Sequence, residues 1–170
     1  MSTELPDVAT LLDSLATSLN AEFERRDIGS PILVGIHTGG VWVAEALHER
    51  LAARSPVATL EVAFHRDDHA TSGLKASVQS SDVPISLDGR TVVLIDDVIQ
   101  TGRTIRAALN ALFDYGRPGR VLLAVLADRG GRELPIQPDA LGQQLELPAV
   151  QRIKLRGPHP LHFTVEEDAP

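Results

Sequence analysis

An acidic pair and a glycine-containing turn lie close together near the middle of the chain. Asp96 and Asp97 follow the apolar run 91–95, and Thr101-Gly102-Arg103-Thr104 precedes a segment with helical periodicity. Free backbone N–H groups and the macrodipole at a helix start favour an anion, and glycine lets the backbone approach it. The two carboxylates can accept hydrogen bonds from vicinal hydroxyls or help to hold Mg²⁺ through water. This pattern predicts a site for a phosphorylated sugar, with the diol at the acids and the phosphate at the turn.

An alternative interpretation is a plain loop in which Asp97 and Thr101 only cap a turn and a helix. The complete apolar run before the acidic pair, which reads as a strand, favours the binding site over this alternative. Two further polar clusters also follow apolar runs, His37-Thr38-Gly39-Gly40 after 32–36 and Asp128-Arg129 after 121–126. Ligands of open α/β sheets bind outside the carboxyl ends of the strands, so we expect the three clusters to face one crevice.

The elements that must position these clusters alternate along the chain. Helical periodicity is present at 7–26, 41–54 and 103–115, and strand-like apolar runs occur at 32–36, 57–64, 91–95, 121–126 and 150–155. Nearly continuous apolar strands alternating with helices are typical of a parallel sheet that is covered on both faces. The polar stretch 65–84 has no apolar periodicity, which is typical of a functional loop or of a disordered one. The sequence therefore predicts one α/β domain over residues 1–170 with one long loop.

The composition excludes several classes of protein. With 43% hydrophobic and 23% charged residues, the 170-residue chain is typical of a globular protein. It has no cysteine, so a disulfide framework and a thiolate nucleophile are excluded. A net charge of −7 and 4% aromatic residues argue against general binding of polyanions or single-stranded nucleic acid. The N-terminus has no signal-peptide pattern, and we expect a cytoplasmic protein without membrane association.

The run VVLIDDVIQTGRT at 92–104 resembles the motif of type I phosphoribosyltransferases that binds phosphoribosyl pyrophosphate (PRPP). VGIHTGG at 34–40, FHRDD at 64–68, RTIRAALNALFDYGRP at 103–118 and LADRGGRELPI at 126–136 are similar to the PyrR family. That family comprises pyrimidine-operon regulators with uracil phosphoribosyltransferase activity, and the resemblance extends from about residue 34 to 155. It implies the type I phosphoribosyltransferase fold, in which helices flank a parallel sheet, with a flexible flap at about 65–84 and a small C-terminal hood.

The resemblance also implies roles for individual residues. Asp96 and Asp97 would contact the ribose hydroxyls and hold Mg²⁺ through water. Thr38 and Gly39 would bind pyrophosphate in a loop that often contains a strained cis peptide. Arg66 and Asp67 would act from the flap, and Arg132 and Lys154 would approach the uracil. PRPP would be bound along the whole motif, with the last four residues at the 5′-phosphate: Asp96, Asp97, Val98, Ile99, Gln100, Thr101, Gly102, Arg103 and Thr104.

The implied reaction converts uracil and PRPP into UMP and pyrophosphate, with Mg²⁺ as cofactor and UMP or UTP as ligands of the same pocket. It passes through a transition state like an oxocarbenium ion and needs no protein nucleophile. The family also implies a homodimer or larger homo-oligomer. The chain departs from the family patterns G-I-K-T-R-G at His37 and Gly39, and D-R-G-H-R-E-L at Gly131. The first change lowers the positive charge near pyrophosphate, and the second, with the acidic net charge, counts against RNA as a partner.

Three function classes stay open at this point: an enzyme that makes UMP, an RNA-binding attenuation regulator that senses nucleotides, and a phosphoribosyltransferase-like subunit without catalysis. Within the enzyme class, a purine base is the closest rival to uracil. A zinc site is disfavoured, because His65 and His69 have no third ligand at a useful spacing.

Overall fold

The computed structural model describes residues 4–62 and 80–167. Three helices are present in this part of the chain: α1 (Val8–Arg25), α2 (Gly39–Arg50) and α3 (Arg103–Leu112). Its strands are β1 (Ile32–Ile36), β2 (Ala58–Leu60), β3 (Thr91–Ile99), β4 (Arg120–Asp128), β5 (Ala140–Gln144), β6 (Gln151–Arg156) and β7 (His162–Glu167). Arg66 and Asp67, which the family resemblance assigns to the flap, lie outside the described residues. No helix in the described ranges is both long and apolar enough to cross a bilayer.

The first five strands form a parallel sheet in the order β2-β1-β3-β4-β5. Every residue of β1 is buried, as expected for a strand covered on both faces. α1 and α2 pack on one face of the sheet, and α3 packs on the other. The N-terminus of α1 is capped by the Asp7 carboxylate, which accepts the N–H of Thr10 at 3.0 Å. The predicted α/β fold with helices on both faces is therefore confirmed.

Two strands continue beyond the ends that the sequence predicts. β3 includes the acidic pair and reaches Ile99, and β4 ends at Asp128. The reason is that backbone pairing between these strands continues, with Asp96 opposite Val125 and Ile99 opposite Asp128. The acidic pair is thus part of a strand and not the residues that end it.

Other elements also differ from the predictions. The strand predicted at 57–64 is only three residues long, and β5 was not predicted, because its sequence ALGQQ has no β-branched residue. β7 was not predicted from the sequence either, and it includes Glu166 and Glu167. The flap predicted at 65–84 extends too far, because Asp82 exchanges two backbone hydrogen bonds of 2.8 and 2.9 Å with Thr59. These bonds attach the segment to the sheet edge. They use only backbone groups, so the side-chain types of the segment do not indicate them.

The antiparallel hairpin of β6 and β7 forms the C-terminal hood that the resemblance implies. Its inner face buries Ile153, Leu155 and Phe163 in the core shared with α1 and α2. On its other face, Glu166 forms ion pairs with Lys154, at 2.9 Å, and with Arg156. The hydrogen bond from Lys154 holds the pKa of the Glu166 carboxyl below its usual value. The hairpin is therefore fixed by apolar contacts inside and by ion pairs outside.

Candidate active site

The acidic pair lies in the C-terminal half of β3, at the sheet edge where ligands of such folds bind. Asp96 is 2% exposed, and its Oδ1 accepts the N–H of Asp97 at 2.9 Å. Asp97 is partly exposed, and its Oδ1 accepts the N–H of Val98 at 2.8 Å. Both carboxylates are therefore oriented by the backbone that follows them.

The chain that follows β1, where the loop leads into α2, packs directly against this pair. A β-carbon on Gly39 would overlap the Asp97 carboxylate, and one on Gly40 would lie 2.5 Å from the Ile95 carbonyl oxygen and 3.2 Å from Asp96 Oδ1. We call this the glycine contact: Gly39 and Gly40 against Asp97 and Asp96. It brings together the first two sequence clusters, as predicted. Glycine at position 39, where the family pattern has arginine, therefore has a steric consequence as well as the loss of a positive charge. Asp97 fills the space that a side chain at this position would occupy.

The same loop contains a cis peptide between His37 and Thr38, as the family resemblance implies for the pyrophosphate loop. The carbonyl of Thr38 accepts the N–H of Val41 at 3.2 Å as α2 begins. The start of α2 therefore lies next to the acidic pair, where backbone N–H groups favour an anion.

The turn between β3 and α3 has the geometry expected of a phosphate site. Gly102 has φ of +92°, a left-handed conformation that glycine adopts without steric cost. The N–H of Arg103 donates to Thr101 Oγ1 at 3.1 Å, and α3 begins at Arg103. The α-carbon of Gly102 faces Leu134 and Ile136, whose β-carbons would lie 3.5 and 3.4 Å from an added β-carbon. The turn is thus closed on one side by the segment around 134–136.

A hydrogen-bond network around Arg132 joins this turn to the end of β4. Its Nη1 donates to the Gln100 carbonyl at 2.8 Å and to Asp128 Oδ1 at 3.0 Å, and its Nη2 donates to Asp128 Oδ2 at 2.6 Å. Nη2 also donates to Gln137 Oε1 at 2.6 Å, and Nε donates to the Ile136 carbonyl at 2.7 Å. We call these residues the Arg132 network. A guanidinium has five N–H groups, so these five bonds use all of them.

Asp128 is the acidic partner in this network, and its side chain is 9% exposed. Burial raises the pKa of its carboxyl, but hydrogen bonds from Arg132 and from the N–H of Gly130, with the charge of Arg132, together lower the pKa below its usual value. The carboxylate is therefore the stable form, and it holds the guanidinium in a bidentate pair.

A second set of bonds holds the turn from the same segment. The Thr101 carbonyl accepts the N–H groups of Glu133, at 2.9 Å, and Leu134, at 3.0 Å, and Glu133 Oε2 pairs with Arg103 Nε at 2.8 Å. Asp128 belongs to the third cluster that the sequence places at the crevice, but its pairing with Arg132 was not predicted. Glu133 is a member of the site that sequence reasoning missed. The four-residue spacing of Asp128 and Arg132 was the available signal, whereas Glu133 had none, because its contact depends on the folded loop.

The structure brings most of the predicted site residues to one edge of the sheet. Those placed together are Thr38, Gly39, Asp96, Asp97, Val98, Ile99, Gln100, Thr101, Gly102, Arg103, Thr104 and Arg132. Arg132 is held by protein acceptors, so its expected contact with uracil stays a prediction. Lys154 lies in the second sheet, with its ammonium paired to Glu166.

The acidic pair fits one kind of metal site. Among residues 4–62 and 80–167, no group of three or more acidic or histidine side chains could enclose a metal ion. Mg²⁺ is commonly bound by one or two carboxylates together with substrate phosphates and water. Asp96 and Asp97 supply the carboxylates for such a site, and the remaining ligands would come from substrate and solvent.

Comparison with known proteins agrees with this geometry. A family model described as the phosphoribosyl transferase domain matches residues 3–148. The chain is 50% identical over 163 residues to the bifunctional protein PyrR of Pseudomonas fluorescens, covering 96% of this chain and 97% of that protein. It is 53% identical over 157 residues to the protein of the same name from Pseudomonas aeruginosa, covering 92% of each.

Solved structures show the same fold at low sequence identity. A hypoxanthine phosphoribosyltransferase from Staphylococcus aureus superposes with a TM-score of 0.61 at 18% identity, over 84% of this chain and 77% of that one. The corresponding enzyme of Trypanosoma cruzi gives 0.61 at 17% identity, over 81% and 77%. These two likenesses establish the architecture alone. The family match and the high identity to the Pseudomonas proteins show that the chain belongs to the phosphoribosyl transferase domain family and, within it, to the PyrR family.

Proposed function

We propose that this chain transfers the phosphoribosyl group of PRPP to uracil and releases pyrophosphate. The observation that supports the proposal most directly is the position of Asp97, which lies against Gly39 and just before the turn at 101–104. A sugar with a diol, a 5′-phosphate and a pyrophosphate needs three adjacent subsites of these kinds. PyrR relatives at 50% identity support uracil as the base.

In the proposed reaction, the bond from the anomeric carbon to pyrophosphate breaks, the bond to N1 of uracil forms, and the N1 proton is released. The start of α3 binds the 5′-phosphate, and the carboxylates of Asp96 and Asp97 orient the ribose hydroxyls. Backbone N–H groups at the start of α2, beside Thr38 and Gly39, stabilise the leaving pyrophosphate. The protein thus contributes orientation and electrostatic stabilisation, and no side chain needs to form a covalent intermediate.

We propose Mg²⁺ as the cofactor, held by Asp96 and Asp97 through water. When bound, the ion supplies positive charge that neutralises the leaving pyrophosphate. The orientation of both carboxylates by the N–H groups of Asp97 and Val98 supports this role.

RNA-dependent regulation is the second candidate function. It is supported by the Pseudomonas relatives, which are named bifunctional proteins. Gly131, where the family pattern has histidine, is exposed, and a β-carbon added to it would lie 3.6 Å from the γ-carbon of Gln100. A pyrimidine leader RNA titrated with and without UMP tests this function, and RNA affinity that does not respond to UMP would contradict it.

The enzymatic proposal is tested by supplying PRPP and Mg²⁺ with uracil, hypoxanthine, guanine or orotate in separate reactions and measuring pyrophosphate release. We expect turnover with uracil. Turnover with a purine alone would overturn the choice of base, and no turnover with any base would favour a non-catalytic subunit.

Substitutions test the assignment of subsites. We expect Asp97→Asn, and Thr101→Ala combined with Thr104→Ala, each to lower UMP synthesis by more than about 10-fold, the effect of about 1.4 kcal/mol in the barrier. Arg54→Ala, an exposed arginine in the loop after α2, is the control and should keep full activity. Unchanged turnover in the Asp97 variant would contradict the placement of the ribose subsite.

A further inference from the structure

We infer that Arg132 is a positioning residue, which holds the phosphate-binding turn in place and does not contact the base. The inference rests on the proposed function and adds to it a specific role for this arginine. Its side chain lies on the segment that follows β4, where the family resemblance expects uracil to bind. The contacts of the side chain point instead to the turn at 100–102.

The first argument is the use of the donors. A base edge recognised by arginine needs at least one free N–H, and the five N–H groups of Arg132 already have protein acceptors at 2.6 to 3.0 Å. Two of the five bonds go to the ionised carboxylate of Asp128 and are charge-assisted. Turning the guanidinium toward a base would break bonds of this strong class, at a side chain that is 19% exposed.

The second argument is what these acceptors have in common. Gln100 begins the turn after β3, Asp128 ends β4, and Ile136 and Gln137 belong to the segment that closes over Gly102. Arg132 therefore ties three separate pieces of chain together at one point. The bond to the Gln100 carbonyl fixes the turn just before the backbone groups that would receive the phosphate.

The third argument is that the neighbouring residues support the same turn. The N–H groups of Glu133 and Leu134 donate to the Thr101 carbonyl, one residue beyond Gln100. These bonds can form only while the segment 132–136 keeps its conformation. The Arg132 side chain stabilises that conformation, because its Nε donates to the Ile136 carbonyl within the same segment. Loss of the guanidinium should therefore loosen the phosphate turn before it affects any other part of the site.

The variant Arg132→Lys distinguishes the effect of the positive charge from the effect of the hydrogen-bond geometry. Its ammonium keeps the positive charge beside Asp128, but it has three donors on one atom and cannot reach acceptors on both sides as the planar fork does. Arg132→Lys should thus keep the ion pair and lose the bonds that hold the turn. Arg54→Ala is again the control for removal of an arginine elsewhere.

The test compares the affinities of UMP and uridine for the wild-type protein and for Arg132→Lys by calorimetry. The ratio of the two affinities isolates what the 5′-phosphate contributes. We expect UMP to bind about 10-fold more weakly to the variant and uridine less than about 2-fold more weakly, so that the ratio falls at least about 5-fold. Steady-state kinetics should agree, with a higher KM for PRPP and an unchanged KM for uracil.

An equal loss of both affinities, or a rise in the KM for uracil alone, would overturn the inference, because a contact with the base or a general loss of structure has that effect. Unchanged affinities for both UMP and uridine would overturn it as well. If Arg132→Lys does not fold, Asp128→Asn provides a second test. It removes the carboxylate that pairs with the Arg132 guanidinium and should shift the ratio in the same direction. A wild-type protein that makes no UMP would instead contradict the proposed function, so the two failures are distinguishable.

Discussion

On one side of the candidate site, α2 approaches β3 through two glycines that carry no side chain of their own. On the other side, the turn at 100–102 is held by hydrogen bonds from a segment about 30 residues further along the chain. The glycine contact depends on the absence of atoms, and the Arg132 network depends on five particular bonds. The first should therefore be sensitive to any added volume but not to pH. The second should respond to charge and pH.

The largest effect is expected for Gly40→Ala. The new β-carbon would lie 2.5 Å from the Ile95 carbonyl oxygen, which is backbone and cannot move aside without separating α2 from β3. We expect a loss of about 3 kcal/mol in the free energy of unfolding, the upper part of the range for overpacking. Urea denaturation measures this loss.

Gly29→Ala is the matched control for that variant, since a β-carbon added to Gly29 would meet no atom within 4 Å. Its free energy of unfolding should stay within about 0.5 kcal/mol of wild type. If both variants were equally stable, the close approach of α2 to β3 would not be a constraint on this fold.

The difference between the two regions also explains what the sequence could reveal. The proximity of the glycines to the acidic pair was predictable, because the carboxyl ends of neighbouring parallel strands meet at the same edge of a sheet. The steric contact itself was not predicted. The Arg132 network was not predictable. The acceptors that bond to its guanidinium depend on the path of an irregular segment. Arg132 was identified from the family resemblance, but its partners Gln100 and Ile136 offer only backbone carbonyls, which no sequence pattern marks.

The same limit applies to the fold. The buried strands β1, β3 and β4 were located from apolar runs, although the ends of β3 and β4 were placed too early, because carboxylates are uncommon inside strands. β5 was missed since its sequence is neither apolar nor β-branched, and its position depends on Gly142, whose α-carbon packs against the Leu126 carbonyl. Edge strands of this kind are held by backbone pairing, which leaves little trace in side-chain types.

An intermediate effect is expected for Asp128→Asn, which tests the polar side of the comparison. At neutral pH the variant leaves the Arg132 guanidinium without its anionic partner, and we expect a loss of about 2 kcal/mol in the free energy of unfolding. Because the folded-state pKa of Asp128 is lowered, its stabilising contribution is present above the pKa of the unfolded chain and is lost as pH falls through the folded value. The difference between wild type and variant should therefore shrink below about pH 4.

Urea denaturation of both proteins between neutral and acidic pH measures this difference, with Gly40→Ala as the comparison. The cost of Gly40→Ala is steric and should not depend on the state of Asp128. A constant difference between wild type and Asp128→Asn over the whole pH range would show that the carboxylate charge does not stabilise the network.

The smallest effect is expected at Gly39, where the two kinds of constraint meet. An added β-carbon would overlap the Asp97 side chain, with the γ-carbon at 2.6 Å and the β-carbon at 3.0 Å. Because these are side-chain atoms and not backbone, we expect Gly39→Ala to lose about 1 kcal/mol in the free energy of unfolding, less than Gly40→Ala. The family pattern has arginine here, and Gly39→Arg would restore positive charge beside the leaving pyrophosphate. We expect the KM for PRPP to fall about 3-fold in Gly39→Arg at low salt, with a smaller change at high salt. Gly39→Ala is the control, because it adds volume without charge. If both variants lose activity to the same extent, turnover requires the present position of Asp97 against the glycine, and the charge at position 39 is secondary.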